Sequence, residues 1–208
     1  MKHFKLAALA ITLILTTACK NEKENEPKTA ETSAESTVKF VAKPEATKVK
    51  WTAYKTTEKK AVGGEFTTVN FENKQGSTAK EALNGLEFSI PVKSLFTKDE
   101  GRDAKIKEFF FGAMLNTELI RGKVNHVNGA YTATLTMNGE TKDLPLDVNI
   151  TDERRVTMNA VMQLKDWNAL DALASLNKVC YELHKGPDGI SKTWEEVGIE
   201  VSTYLRKN

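Results

Sequence analysis

The side chains of this 208-residue chain that could do chemistry are few: two cysteines, three histidines and serines without an evident base. Cys180 sits in Lys178-Val179-Cys180-Tyr181-Glu182-Leu183. Apolar neighbours bury a thiol, whereas a nucleophilic thiolate needs an accessible, electropositive niche. Cys180 is therefore expected to be an inert core thiol. Apart from His3 near the start, only His126 and His184 remain. There is no His-x-x-Glu-His arrangement and no close cysteine pair, so a zinc site fails on donors. His126, beside Asn125 and Val127-Asn128-Gly129, reads as a surface turn residue. Asp99-Glu100-Gly101-Arg102-Asp103 is acidic but lacks the spaced oxygens and terminal glutamate of a calcium loop, and Arg102 stands inside it. Ser94 and Ser175 lie in no Gly-x-Ser-x-Gly elbow. Gly63-Gly64 is too short to cradle a phosphate, and Asp143 with Asp147 reads as a solvated strand face. This inventory argues against an enzyme and against a resident metal or cofactor.

Cys19 calls for a different chemistry. Lys2, His3 and Lys5 precede an apolar run, Leu6 to Leu15, broken only by Thr12. The run falls short of the roughly 20 residues that a membrane-spanning helix needs. It fits a secretory leader, with Thr16, Thr17 and Ala18 ahead of the cleavage point. Leu15-Thr16-Thr17-Ala18-Cys19 resembles a bacterial lipobox, although the leucine stands four residues before the cysteine rather than three. The bland alternative is an ordinary leader with an incidental cysteine. Residues 1–18 are expected to be a signal peptide, with Cys19 the acylated start of the mature chain and 19–37 a linker. Lys20 to Ser36 holds no aromatic or large aliphatic residue, so it cannot bury enough surface to offset its ordering entropy. Coil statistics give such a tether a reach of roughly 20–25 Å. The chain is thus expected to be exported and anchored in the cell envelope through Cys19, periplasm-facing or on the outer-membrane surface. Loss of Lys2 and Lys5 leaves 28 of the 30 basic residues against 28 acidic ones. No basic stripe with interleaved aromatics appears, so nucleic acid is not an expected partner.

The elements behind these residues are mostly strands. Val49, Trp51 and Ala53 alternate with polar residues, and Gly63-Gly64 leads into a β-prone run from Glu65 to Phe71. Leu86, Phe88 and Ile90 alternate with Glu87 and Ser89. Tyr131 to Met137 and Leu144 to Ile150 flank Asn138-Gly139, a pair that readily takes the positive φ angles of a tight hairpin. Val156 to Leu164 and Val197 to Thr203 complete the set. One apolar and one polar face per strand argues for antiparallel sheet around one interior. Two segments depart from this pattern. Asp99 to Leu115 reads as helix ending in Phe109-Phe110-Phe111, and Asp166 to Leu176 places Trp167, Leu170, Leu173 and Ala174 at helical spacing. Closure removes exposed edges. The expected fold is mainly β: an antiparallel barrel over 38–208 with one or two short helices.

The order of elements resembles the YceI-like family of exported, lipocalin-like barrels. The residues that carry the likeness are Trp51 through Gly64-Glu65-Phe66, Ser94-Leu95-Phe96-Thr97, Arg102-Asp103, Phe109-Phe110-Phe111 and Leu135-Thr136-Met137-Asn138-Gly139-Glu140-Thr141. Two family features are absent. Tyr54-Lys55 stands where a Lys-His pair is common, and Asn177 to His184 replaces an Arg-Ser-Asp-Phe-Gly stretch. The resemblance implies binding of a polyisoprenoid, either an isoprenoid lipid or an isoprenoid quinone. Interior residues are then expected to be Phe66, Phe88, Ile90, Phe110, Leu135, Met137, Leu146, Val148, Met158 and Met162, with the methionines suited to a flexible ligand. Arg102 has two roles open to it: a helix-start ion pair with Asp103, or a contact to a phosphate or quinone headgroup. Successive residues of a helix turn by about 100°, so Phe109, Phe110 and Phe111 cannot all face one core. The same apolar pattern also suits a barrel filled by its own side chains and acting as an interaction module.

Overall fold

The computed structural model describes residues 39–208. The expected leader, Cys19 and the linker fall outside the described residues. Alternation yields nine strands of one sheet: β1 (Thr47–Lys55), β2 (Lys60–Phe66), β3 (Leu86–Pro91), β4 (Leu95–Phe96), β5 (Leu119–Val127), β6 (Ala130–Met137), β7 (Glu140–Thr151), β8 (Arg155–Gln163) and β9 (Glu196–Tyr204). Their spatial order is β3-β5-β6-β7-β8-β9-β1-β2-β4, antiparallel at every step. The two ends of this sheet meet where Asn70, just beyond β2, exchanges two 2.8 Å backbone hydrogen bonds with Ser89 of β3. The result is a nearly closed, lipocalin-like barrel, as the alternation implied.

The two ends of the barrel are built differently. At the lower end, Phe40–Val41 pairs with both Gln75–Gly76 and Arg206–Lys207. Helix α1 (Ala79–Leu83) packs beside them. Val41, Leu83, Val156 and Leu205 are all 2% exposed or less, so this end is a packed plug. A capping box starts α1: Thr78 Oγ1 accepts from the Glu81 amide, and the Ser77 amide and hydroxyl donate to the Glu81 carboxylate. Those two bonds hold the Glu81 carboxyl below its ordinary range.

Helices close the upper end. Helix α2 (Glu100–Lys105) continues into a π-helical turn, Ile106–Phe110, and a 3-10 turn, Phe111–Ala113. Asp99 caps α2, accepting from the Arg102 amide at 2.9 Å, while Asp103 accepts from the Thr97 amide and hydroxyl at 2.9 and 2.6 Å. Helix α3 (Leu170–Val179) packs on the π-helical turn. Trp167, in the 3-10 turn before α3, is 1% exposed, and its indole N–H donates to the Leu135 carbonyl at 2.9 Å. Beyond α3, His184 Nδ1 lies 3.0 Å from Asn177 Oδ1 and 2.9 Å from Thr193 Oγ1. Burial, assisted by the charge of Lys55, lowers the His184 pKa from 6.5 to about 4.

Several expectations are corrected. Gly63 and Gly64 lie inside β2, which ends at Phe66 rather than running to Phe71. The Trp51 ring covers Gly64 so closely that a Cβ there would overlap it. His126 belongs to β5, and the turn beside it is Asn128-Gly129. Helix α3 begins after Trp167; Leu170 and Ala174 are exposed, and Ala172 and Leu173 pack inward instead. Among the described residues, three short α-helices are present rather than one or two.

Two outcomes follow. Gly64→Ala is expected to cost about 1–3 kcal/mol by overpacking. Gly63→Ala, whose Cβ would touch only the Trp51 carbonyl at 3.5 Å, should lie within about 0.5 kcal/mol of the parent in chemical denaturation. The second concerns pH. Between the unfolded His184 pKa near 6.5 and the folded value of about 4, only the unfolded chain takes up the proton, so stability falls as pH falls. Thermal melts at pH 7 and pH 5 should show a drop that His184→Gln reduces; an equal drop in both proteins would contradict this assignment.

Candidate functional site: a dry interior opening on a polar vestibule

The inward faces of the strands do not fill the barrel. Two adjoining cavities remain, of about 130 and 140 Å³. The upper one lies under the helical cap, walled by Trp51, Phe110, Leu173, Trp194 and Val197 among others. The lower one reaches down to the plug, past Phe88, Ile90, Leu135, Leu146 and Met158. Phe66, Ile120, Met137, Met162 and Ile199 line both, and so form the waist between them. Each cavity is close in size to the engineered one of about 150 Å³ that stays dry and accepts benzene.

Of the ten wall residues expected from the sequence, nine line one or both cavities. Val148 lines neither; it packs in the lower plug with Val156, Met158 and Leu205. β7 pairs with β6 as far as Leu146 and with β8 from Asp147 onward, and Val148 lies on the second of these stretches, toward the plug. The three aromatics divide: Phe110 and the buried Phe111 both line the upper cavity, and Phe109 lines neither cavity. Phe111 meets Phe110 and Phe66 edge-on at 5.1 and 6.4 Å between ring centroids. Such pairs add to burial because ring edges and faces carry opposite partial charge.

Above the upper cavity, β1, α2 and the end of α3 enclose a third space of about 230 Å³, a polar vestibule. Lys55, Arg102 and Lys105 line it, with Asp99 the only acidic residue among its lining. Arg102 pairs with Asp99 at 3.4 Å rather than with Asp103, because Asp103 is engaged by Thr97. At 41% side-chain exposure for Arg102, this is a weak tie that a ligand can replace. Cys180 also borders the vestibule; burial pushes its thiol above the ordinary range, away from nucleophilic character. His184 stands there neutral at pH 7. Trp51, Ala53, Ile106, Leu176 and Thr193 are common to the vestibule and the upper cavity, so the two spaces adjoin.

At that junction Trp51 is 9% exposed, and its indole N–H is buried without a hydrogen-bond partner. An orphaned buried donor is rare and costly. Sequence reasoning placed Trp51 on the apolar face of β1 but did not assign it to the site. Trp194 stood in no recognised element, and Ile120 belongs to β5, which was missed altogether. Among the described residues, no three His, Cys, Asp or Glu side chains gather as a metal site, and no helix is long and apolar enough to cross a membrane. Ser94 donates to the Pro91 carbonyl at 2.7 Å.

No curated protein sequence matches this chain. Among solved structures, a polyisoprenoid binding domain from Saccharophagus degradans, implicated in plant cell wall breakdown, is similar with a TM-score of 0.59 at 11% identity, covering 81% of this chain and 98% of that one. BcnA of Burkholderia cenocepacia is similar with a TM-score of 0.51 at 18% identity, covering 79% and 98% respectively. At these identities the likeness is one of fold. The family model described as YceI-like domain matches residues 33–204. With nearly all of the barrel inside that match, the chain belongs to the YceI-like family.

Proposed function

We propose that the barrel binds an isoprenoid-type lipid without chemical turnover, its tail in the two cavities and its headgroup in the vestibule. The observation that carries this reading is the junction at Trp51, where a dry apolar space and a cationic polar space share a wall with an unpaired N–H. A ligand with an apolar tail and an oxygen-bearing head satisfies both spaces at once. The polyisoprenoid binding domain with the same fold supports the choice of an isoprenoid. A barrel acting only as a self-filled interaction module has no need of an unfilled interior.

Size limits the tail. The cavities as they stand hold roughly two five-carbon units, judged against the benzene-sized cavity. Longer tails require the waist to widen, and Met137 and Met162 have the rotamer freedom to allow it. Oxygens of a phosphate or a quinone carbonyl would accept from Trp51 Nε1 and face Lys55, Arg102 and Lys105.

The setting we infer is that of an exported lipoprotein, acylated at Cys19 and held in the cell envelope. The lipobox-like stretch before Cys19 supports it, and acylation there would leave Cys180 without a cysteine partner. Lys39 sits beside Asn208 at the plugged end, so such an anchor holds the domain by the end away from the vestibule.

Two measurements test the reading. In detergent, an isoprenoid quinone should bind saturably, and Trp51→Phe should weaken it by roughly 5- to 100-fold, the loss expected for one buried hydrogen bond. A headless isoprenoid hydrocarbon should be nearly unaffected. Equal losses for both ligands would remove Trp51 from headgroup contact. Separately, Met162→Trp should obstruct the waist and reduce affinity for long tails at least tenfold while short ones still bind. Unchanged binding of long tails would place the ligand outside the barrel.

A further inference from the structure

The rim of the vestibule carries an apolar surface that the fold leaves uncovered. Val179, Tyr181, Leu183 and Ile190 are 39%, 49%, 57% and 56% exposed. All lie in the stretch from the end of α3 to the tip of the following loop. Leu183 lines the vestibule, and its carbonyl accepts from Lys55 Nζ at 2.9 Å. Ile190 faces Gly186 across the loop, which is tied to the β1–β2 turn by the Thr57 hydroxyl donating to Asp188 at 2.7 Å. At the plugged end, the exposed large apolar side chain among the described residues is Val127.

Aromatic rings and lysines share this rim. Lys185 Nζ lies 5.0 Å from the Tyr181 ring, Lys59 Nζ 5.0 Å from both Tyr54 and Trp194, and Lys192 Nζ 3.8 Å from Trp194. Glu182 and Glu196 pair with Lys185 and Lys59, but Lys55, Lys105 and Lys192 make no salt bridge among the described residues. Exposed aliphatic tips beside tyrosine, tryptophan and lysine match the chemistry of a bilayer interface. There, aromatic rings lie at headgroup level, and lysine stems cover apolar surface while their charges stay wet.

We propose that this rim docks on an anionic lipid leaflet, with Leu183 and Ile190 inserted between headgroups and the lysines facing lipid phosphates. The inference rests on the lipid-binding reading and adds the route by which ligand enters. Exposing a single five-carbon unit to water would slow transfer by roughly 100- to 1,000-fold, and contact between rim and leaflet removes that step. An anchor at the far end does not prevent it. The 19 residues between Cys19 and Lys39 span up to ~70 Å when extended. A nine-residue strand such as β1 covers only ~30 Å, so the tethered domain can turn its mouth to the leaflet that holds it.

The test uses the full chain in three forms: parent, Tyr181→Asp/Ile190→Asp, whose side chains are exposed on the rim and line neither the vestibule nor the cavities, and Val127→Asp as an exposed control. A fluorescently tagged isoprenoid alcohol is offered either in detergent micelles or in vesicles of equal parts phosphatidylcholine and phosphatidylglycerol. Because all three share the same N-terminus, any anchor acts equally in each. The expected result is that the double variant takes up ligand from vesicles at least tenfold more slowly, while the Val127 variant matches the parent. All three should bind equally from micelles, and replacing phosphatidylglycerol by phosphatidylcholine should slow the parent. Equal vesicle rates for parent and double variant would overturn the docking proposal. So would a double variant with unchanged melting temperature that also fails to bind from micelles. Failure of the parent to bind from micelles would instead overturn the lipid-binding reading itself.

Discussion

Closure of the sheet is the constraint on which the rest depends. Nine antiparallel strands enclose an interior only because Asn70 and Ser89 join the two edges through a pair of backbone hydrogen bonds. Once closed, the inward residues of the strands face each other across a space they do not fill. The packed plug of Val41, Leu83, Val156 and Leu205 then makes the space blind at one end. Polarity returns only at the other end, where Trp51 touches both environments.

The glycines show how closely ring placement and strand geometry are linked. Gly64 lies beneath the Trp51 ring and Gly122 beneath the Phe88 ring, each where a Cβ would overlap aromatic carbon. Small residues on β2 and β5 thus let large rings lie flat against the wall instead of filling the centre. The hollow is therefore a property of particular pairs across neighbouring strands, and methionines at the waist leave it adjustable.

Much of the fold was legible because period-2 alternation is a strong signal wherever one face is apolar. The hairpin at Asn138-Gly139 and the strands around it follow that rule closely. β5 was not legible. Its inward positions are Ile120, Gly122 and Val124, so a glycine interrupts the apolar series, while Arg121, Lys123, Asn125 and His126 make the segment read as surface. The start of α3 was misplaced because Trp167, Leu170, Leu173 and Ala174 follow helical spacing, yet Asn168 takes a left-handed conformation (φ 51°) that breaks the helix after Trp167. Wall residues on the alternating strands could be read from apolarity alone. Val148 could not be separated from them, since it shares the alternation of Leu144 and Leu146 and differs only in lying farther along β7, against the plug. Trp194 and the vestibule cations come together only through tertiary packing of β1, α2 and the loop after α3, which local sequence does not encode.

The most direct test of a lipid-filled barrel is native mass spectrometry of the protein purified from bacterial envelopes without added ligand, beside a denaturing measurement of the same sample. The expected result is an additional mass that survives gentle ionisation, disappears on denaturation and extracts into organic solvent as an isoprenoid. A bare protein mass, still bare after incubation with isoprenoid quinones, would contradict lipid carriage and make the barrel a self-contained interaction module.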